Sequence, residues 1–350
     1  MSLPTTAREY AYTEIGSFNN LVIREVPVPT PKANEVLVKT RAVSLQFRDL
    51  MVSKGAYPTQ LPPNLVPCSD MAGEIVAVGE DVHGWKAGDR VCANFMIDKI
   101  HNDSMSMEIA NSALGGAIHG VLTEYRCFPA HSLVAIPSHL SYEEASTLPC
   151  AALTAYNALL SGYEPLKAGD IVLVQGTGGV SMCVFALQFA VASGATVIAL
   201  SSSDEKLQTA TKLGAKHVIN YKTTPNWDQE VHKLTGGKGV DRVIEIVGHA
   251  TLERSISAVR MDGCIDIIGH LGPDGPPVDI ILGTIFKGLK IRGIFIGSVI
   301  QFTKMNKLLT ANPEATRPLI DKVFEFEHAK EAFAHLASQE HVGKVVIKVN

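Results

Sequence analysis

Nothing in these 350 residues is long and apolar enough to cross a bilayer, although hydrophobic residues make up 46% of the chain. Turn-forming and charged residues break the apolar runs, so the runs belong to cores. At about 150 residues per domain, two such cores are expected. The opening residues, MSLPTTAREYAYTE, hold no apolar segment of the kind that starts a secretory signal. The chain is expected to work in the cytoplasm, away from membranes. Basic stripes are missing as well: 31 Lys and Arg against 35 Asp and Glu leave a net charge of −4, with the basic residues scattered. That removes the electrostatic footprint of a nucleic-acid binder and leaves a small molecule as the expected substrate. Six cysteines, Cys68, Cys92, Cys127, Cys150, Cys183 and Cys264, sit far apart without a C-x-x-C pair. Neither a zinc knuckle nor a disulfide framework is expected, and the cysteines read as small buried hydrophobes.

What is present is concentrated between Asp170 and Glu205, DIVLVQGTGGVSMCVFALQFAVASGATVIALSSSDE. The apolar run Ile171 to Val174 ends at Gln175 and meets Gly176-Thr177-Gly178-Gly179-Val180, after which apolar residues recur at helical spacing to Ala192. Gly194 ends the helix, and a second β-rich run, Ala195 to Leu200, follows too closely for a hairpin, so the two strands are expected to be parallel. Gly176 suits the turn, Gly178 lets backbone approach a pyrophosphate, and the helix start offers free N–H groups. The third fingerprint position is Ser181 rather than glycine.

A carboxylate at the end of the second strand would hold the ribose 2′-OH of NAD. Here that end reads Ser201-Ser202-Ser203. Ser202 and Glu205 have the spacing of a capping box, which assigns the nearby acidic residues to starting the next helix. Three hydroxyls with Lys206 nearby suit a 2′-phosphate, so NADPH is the expected cofactor.

Before this stretch, short β runs punctuated by Pro and Gly describe a mostly-β domain: Asn20 to Arg24, Glu35 to Thr40, Gly73 to Val78 and Asp89 to Ala93. Between Asn94 and Gly120 the pattern lapses, as in a long surface lobe. Ser141 with Glu144 marks a helix start, and Pro149 bends the helix that joins the two domains. After the stretch, strands at His217–Tyr221, Val240–Val247, Cys264–Ile268 and Lys290–Ile296 alternate with helical stretches at 204–213, 226–235, 251–260 and 301–310. The result is α/β, a doubly wound parallel six-stranded sheet. The terminal β run matches the first domain in composition and is expected to rejoin it.

That arrangement resembles the medium-chain dehydrogenase/reductase superfamily over essentially the whole chain. The resemblance rests on SLQFRDL (44–50), SDMAGEIVAVGEDV (69–82), GDRV (88–91), EEASTLPCAALTAYNAL (143–159), VLVQGTGGVS (172–181), SSSDEKL (201–207), GAKHVINY (214–221) and GKVVIKV (343–349). It implies a GroES-like catalytic domain over residues 1–151 and 297–350, a Rossmann domain over 152–296, and a homodimer or tetramer. Zinc alcohol dehydrogenases of that superfamily bind their catalytic metal through Cys, His and Cys. Here Gln46 and Ser69 stand at the first two positions and only Cys150 matches, so the chain is similar to the zinc-free branch of quinone oxidoreductases and enoyl reductases, and no metal is expected.

The resemblance also supplies site residues. Tyr57, in a G-x-Y-P segment, matches a proposed proton donor; a tyrosine packed at a turn is the alternative. Arg48 would hold a carbonyl or phosphate oxygen, or else form a structural ion pair with Asp49 or Asp70. Cys150 is a remnant ligand, a reactive thiol or inert packing; with Gln46 and Asp70 it completes the candidate catalytic set. Around the cofactor fall Gly176, Thr177, Gly178, Gly179, Val180, Ser201, Ser202, Lys206, Tyr221, Val247, Gly269, His270, Leu271, Phe295, Ile296 and Lys344. Three activities remain open: hydride delivery to a conjugated C=C bond or quinone, metal-free interconversion of a carbonyl and an alcohol, and silent NADPH binding.

Overall fold

A computed structural model describes residues 3–102, 105–162, 164–176, 181–270 and 278–350. The chain divides into two compact units: unit 1 is Met1–Leu153, Gly297–Pro313 and Arg317–Asn350, and unit 2 is Thr154–Ile296 with Glu314–Thr316. Seven strands come first: β1 (Thr6–Tyr12), β2 (Leu21–Pro27), β3 (Glu35–Ser44), β4 (Asp70–Val78), β5 (Arg90–Ala93), β6 (Tyr125–Pro129) and β7 (Leu133–Ala135). Unit 2 carries β8 (Ile171–Gln175), β9 (Thr196–Ser201), β10 (His217–Asn220), β11 (Val240–Glu245), β12 (Val259–Ile267) and β13 (Lys290–Gly293). The last two, β14 (Ile320–Glu325) and β15 (Lys344–Lys348), return to unit 1.

In unit 1, β3 is the spine. It runs antiparallel to β4, β6 and β15, with Ser44 opposite both Asp70 and Val346. Its apolar residues Val36, Val38 and Val43 are fully buried in a core shared with Tyr12, Phe128 and Phe333. Each such side chain contributes about 1.5–3 kcal/mol on leaving water. Gly73 on β4 is required where the strands close up: an added Cβ would lie 2.4 Å from the Lys39 carbonyl oxygen. The terminal β run does rejoin this sheet, as β15. Its partner β14, parallel to it, carried no legible signal, because all six of its residues are half-buried or exposed, with no strict alternation.

The stretch from 94 to 120 is not a loose lobe. Phe95, Met96 and Leu114 are fully buried, and backbone bridges join Met96 to Ala113 and Leu114 to Ile118. Its packing is irregular, so no period of 2 or 3.6 marked it. Ser141 and Glu144 form the expected reciprocal cap ahead of helix Tyr142–Ala145. Pro149 then lies in a widened helical turn, Leu148–Ala152, before helix Leu153–Leu160.

Unit 2 is built on a six-stranded, all-parallel sheet in the order β10-β9-β8-β11-β12-β13. Chain order reverses between β8 and β11, the place where open α/β sheets bind ligands beyond the strands' carboxyl ends. Two details differ from the sequence reading. The helix after β9 starts at Asp204 with Ser203 as its N-cap and no side-chain cap bond, so Ser202 and Glu205 form no capping box. The spacing misled by one residue, and Asp204 instead accepts a hydrogen bond from Asn220 at 2.7 Å. Strand β12 begins five residues early, at Val259, because the helix before it stops at Ala258.

Helix Ile280–Lys287 was not anticipated. It is apolar all round, with Ile281, Ile285 and Phe286 at 66–74% exposure, so it has no amphipathic period. Its end signals were present: Asp279 accepts N–H groups of Ile281 and Leu282, and Gly288 takes the left-handed conformation beyond Lys287.

Candidate functional site

In unit 1 the candidate residues converge on one carboxylate. Asp70 opens β4 and is fully buried. Its Oδ2 accepts from the Gln46 side-chain amide at 2.5 Å and from the Cys150 backbone N–H at 3.0 Å, while its Oδ1 accepts from the Ser69 hydroxyl at 2.7 Å. The three positions at which zinc-binding relatives would hold ligands are therefore bound to each other through Asp70. An amide and a hydroxyl engaged as donors do not fit a Zn²⁺ ion, which takes thiolate, imidazole or carboxylate. Cys150 does not compensate, since burial pushes its thiol well above the ordinary cysteine range and keeps it protonated, with the Asp70 carboxylate adding to the rise.

A second buried carboxylate, Asp49, lies in the first turn of helix Phe47–Ser53 and accepts the Gln46 backbone N–H at 2.8 Å. Burial pushes both acids up to about 6, against the pull of the Arg48 guanidinium on Asp49 and of the Lys344 ammonium on Asp70. Lys344, only 2% exposed at the start of β15, donates to the Leu45 carbonyl at 2.6 Å. Its ammonium is held below the ordinary lysine range by burial. The resemblance placed Lys344 beside the cofactor; in unit 1 it is the cation of this acid cluster.

Arg48 corrects the ion-pair expectation. Among the described residues it forms no ion pair with Asp49 or Asp70, although its charge acts on Asp49 from beyond contact distance. The residue is 9% exposed. Its Nη1 donates to the Leu114 carbonyl at 2.8 Å, while Nε and Nη2 are buried with no hydrogen-bond partner among the described residues. The rings of Tyr57 and Phe95 each lie 4.6 Å from its central carbon. Each such contact returns about 0.5–2 kcal/mol, less than the several kcal/mol that an unpaired buried ion costs. Gly116 leaves the room: a Cβ there would sit 2.2 Å from Nη2. Tyr57, on the segment after Gly55, is half-buried over the guanidinium, so it is both packed at a turn and placed among the polar candidates.

In unit 2 the cofactor candidates string along the carboxyl edge of the parallel sheet. Gly176 follows β8 with φ of +85° and donates its N–H to the Leu200 carbonyl. Thr177, Gly178, Gly179, Val180 and Leu271 lie outside the described residues. Ser201 ends β9 and accepts the N–H of Tyr221, whose ring is 43% exposed. Ser202 and Lys206 follow, both half-buried. Val247 comes after β11, and Gly269 and His270 after β12. Gly269 passes so close to β11 that a Cβ would meet the Ile246 carbonyl oxygen at 2.3 Å. Phe295 and Ile296 follow β13, and Ile296 has φ of +56°, a strained setting for a β-branched residue, with its carbonyl held by the Asn157 side chain. The positive φ of Gly176, the alignment of these strand ends along one edge and a serine-rich strand end fit a nicotinamide dinucleotide.

Sequence reasoning missed Glu245. Fully buried at the end of β11, it accepts from the N–H groups of Val247 and Gly248, from Thr251 and Ser255, and from Gln175 at the end of β8. It thus ties together the two strands that flank the reversal of chain order. A single carboxylate within the apolar run from Val243 to Val247 was the available signal.

Two family models match the chain: an alcohol dehydrogenase GroES-like domain over residues 32–138 and a zinc-binding dehydrogenase over residues 182–311. A zinc-type alcohol dehydrogenase-like protein of Schizosaccharomyces pombe is 47% identical over 349 residues, covering 98% of this chain and 99% of that one. A quinone oxidoreductase of Lama guanicoe is 29% identical over 330 residues, covering 92% and 91%. A solved structure from Sinorhizobium meliloti 1021, provisionally assigned to the alcohol dehydrogenases, superposes with a TM-score of 0.89 at 37% identity, covering 99% of this chain and all of that one.

Proposed function

Because the chain belongs to the medium-chain dehydrogenase/reductase superfamily and is an oxidoreductase of that family, we propose that it is a zinc-independent, NADPH-dependent reductase of conjugated small molecules: enones, enals or quinones. The observation that supports this most is the Asp70 cluster, in which Gln46, Ser69 and the Cys150 backbone spend their donors on a carboxylate. Reduction of an isolated carbonyl puts a full charge on one oxygen, where a Lewis-acid metal is worth several kcal/mol. Conjugate addition spreads that charge over an enolate, and hydrogen-bond donors suffice.

NADPH, when bound along the carboxyl edge of unit 2, supplies the hydride. Ser201, Ser202 and Lys206 hold its 2′-phosphate, and Tyr221 flanks it. Tyr57 donates the proton that converts the enolate to the saturated ketone, and Asp70 fixes the three chain segments beside it. A homodimer accords with β13, the last strand of its sheet, and with the exposed apolar side chains of the helix at 280–287.

The test follows NADPH consumption with an enone, its saturated ketone and the corresponding alcohol with NADP⁺. The enone is expected to react fastest, with Tyr57→Phe lowering kcat by about 10². Faster turnover of the saturated ketone or the alcohol would refute the reading.

A further inference from the structure

We propose that Arg48 is the anchor for a carboxylate carried by the substrate, so that the enzyme takes unsaturated ketones or aldehydes bearing an acid group on a separate arm. The substrate half of this statement rests on the reductase reading; the binding half does not.

The guanidinium has five N–H donors in one plane. Nη1 is committed to the Leu114 carbonyl, whereas Nε and Nη2 have no partner among the described residues. Those two nitrogens form one edge of the fork, whose parallel N–H bonds match two coplanar oxygens on a single carbon. A lone carbonyl or enolate oxygen would leave one donor unmet. Its central carbon lies 4.6 Å from the ring centres of the fully buried Phe95 and of the half-buried Tyr57, so aromatic walls line the group and the donors of that edge are left for a ligand. Tyr57 is the thinner wall, since Lys54, Gly55, Ala56 and Pro58 around it are exposed, so a turn of that ring opens the edge to a ligand.

Charge decides between a carboxylate and a phosphate. Asp70 has its own donors on both oxygens and Asp49 accepts the Gln46 N–H on one, its Oδ1 being buried without a partner among the described residues; Arg48 acts on Asp49 from beyond contact distance, and the Lys344 ammonium acts on both acids. Within this group of charges Arg48 has no anion at contact distance among the described residues. A monoanion completes its pairing. A doubly charged phosphate would bring a second charge toward two buried carboxylates, which opposes it.

In the reaction, hydride adds to the β-carbon, the C=C electron pair moves to form the enolate, a proton closes the α-carbon, and NADPH leaves as NADP⁺. The carboxylate is unchanged and serves to hold the substrate.

The experiment uses the NADP⁺-loaded protein and compares binding of 5-oxooctanoate with that of its methyl ester by calorimetry, then turnover of 5-oxooct-6-enoate and its methyl ester with NADPH. Each acid is expected to be favoured roughly tenfold to a hundredfold, the range of charge-assisted hydrogen bonds. Arg48→Met should bring the acid-to-ester ratio down to about one in both binding and turnover, and Arg48→Lys, which keeps the charge without the fork, should retain only part of the preference. Equal binding of acid and ester by the wild-type protein overturns the proposal without any variant. So does an Arg48→Met protein that loses both equally. If the acid binds through Arg48 but neither enone is reduced, the anchor stands and the reductase reading falls.

Discussion

Replacing Asp70 by asparagine removes one buried charge while keeping the shape of the site. The amide oxygen still accepts the Cys150 N–H, and the amide nitrogen donates to Ser69 or to a turned Gln46. In the wild-type protein the Asp70 carboxyl is raised from 3.8 to about 6, chiefly by burial. An acid with a raised folded value binds its proton more tightly in the native state, so its contribution to stability is full below the unfolded value near 4. It is lost as pH climbs through 6. Two units correspond to about 3 kcal/mol, roughly a hundredfold in the folding equilibrium. Asp70→Asn has no such titration. Chemical denaturation of both proteins from pH 4 to 8 should show the variant gaining about 3 kcal/mol relative to wild type as pH rises, with nearly all of the gain complete by pH 7. Titrating groups remote from Asp70 cancel in the difference, while Asp49, which the Asp70 charge helps to raise, adds to the gain in the same direction. A difference that stays flat across that window, or shrinks as pH rises, would refute the account of Asp70 as a buried, strained acid.

Two further outcomes follow from the site. Elemental analysis of the purified protein should find far less than one zinc per chain, and chelators should leave activity intact; about one tightly held zinc, with activity lost on its removal, would overturn the assignment of Gln46 and Ser69 as non-ligands. Lys206→Ala should weaken NADPH binding roughly tenfold to a hundredfold while barely changing NADH, as expected for loss of a charged contact of about 1.5–3 kcal/mol. An unchanged ratio of the two affinities would remove Lys206 from the 2′-phosphate.

Unit 2 was legible because its physics is local. Buried parallel strands are near-continuous apolar runs, and Gly176 and Gly194 mark the ends of β8 and of the helix Ser181–Ala192 at short range. The return of β15 was legible from composition. The polar cluster of unit 1 was legible only in its members. Gln46, Arg48, Asp70, Cys150 and Lys344 could each be named, but their pairing depends on contacts between residues 24 to 299 positions apart. Charge suggested that Arg48 would pair with its neighbour Asp49 or with Asp70. On a helix, adjacent residues point different ways, and the guanidinium went to Leu114 instead. Helix Ile280–Lys287 was hidden for the opposite reason, since a segment apolar on every side has no face to betray it.

The position of β15 also sets the order in which the molecule can be finished. Lys344 meets Leu45 across 299 residues of chain. At 5–20 residues per second a ribosome needs roughly 15 to 60 s to cover that distance. During that time one side of β3 waits as an open sheet edge beside Ala42, Val43 and Ser44, the residues that β15 later covers. Residues 154–296 form a continuous segment that holds all six strands of the parallel sheet, so that sheet can close while the first-made segment is still waiting. The middle of the chain is complete before its beginning is. Lys344 arrives on the closing strand, so the buried acids acquire their cation in the same event that seals the sheet. A nascent chain halted before residue 344 would hold neither the finished sheet nor the balanced charge.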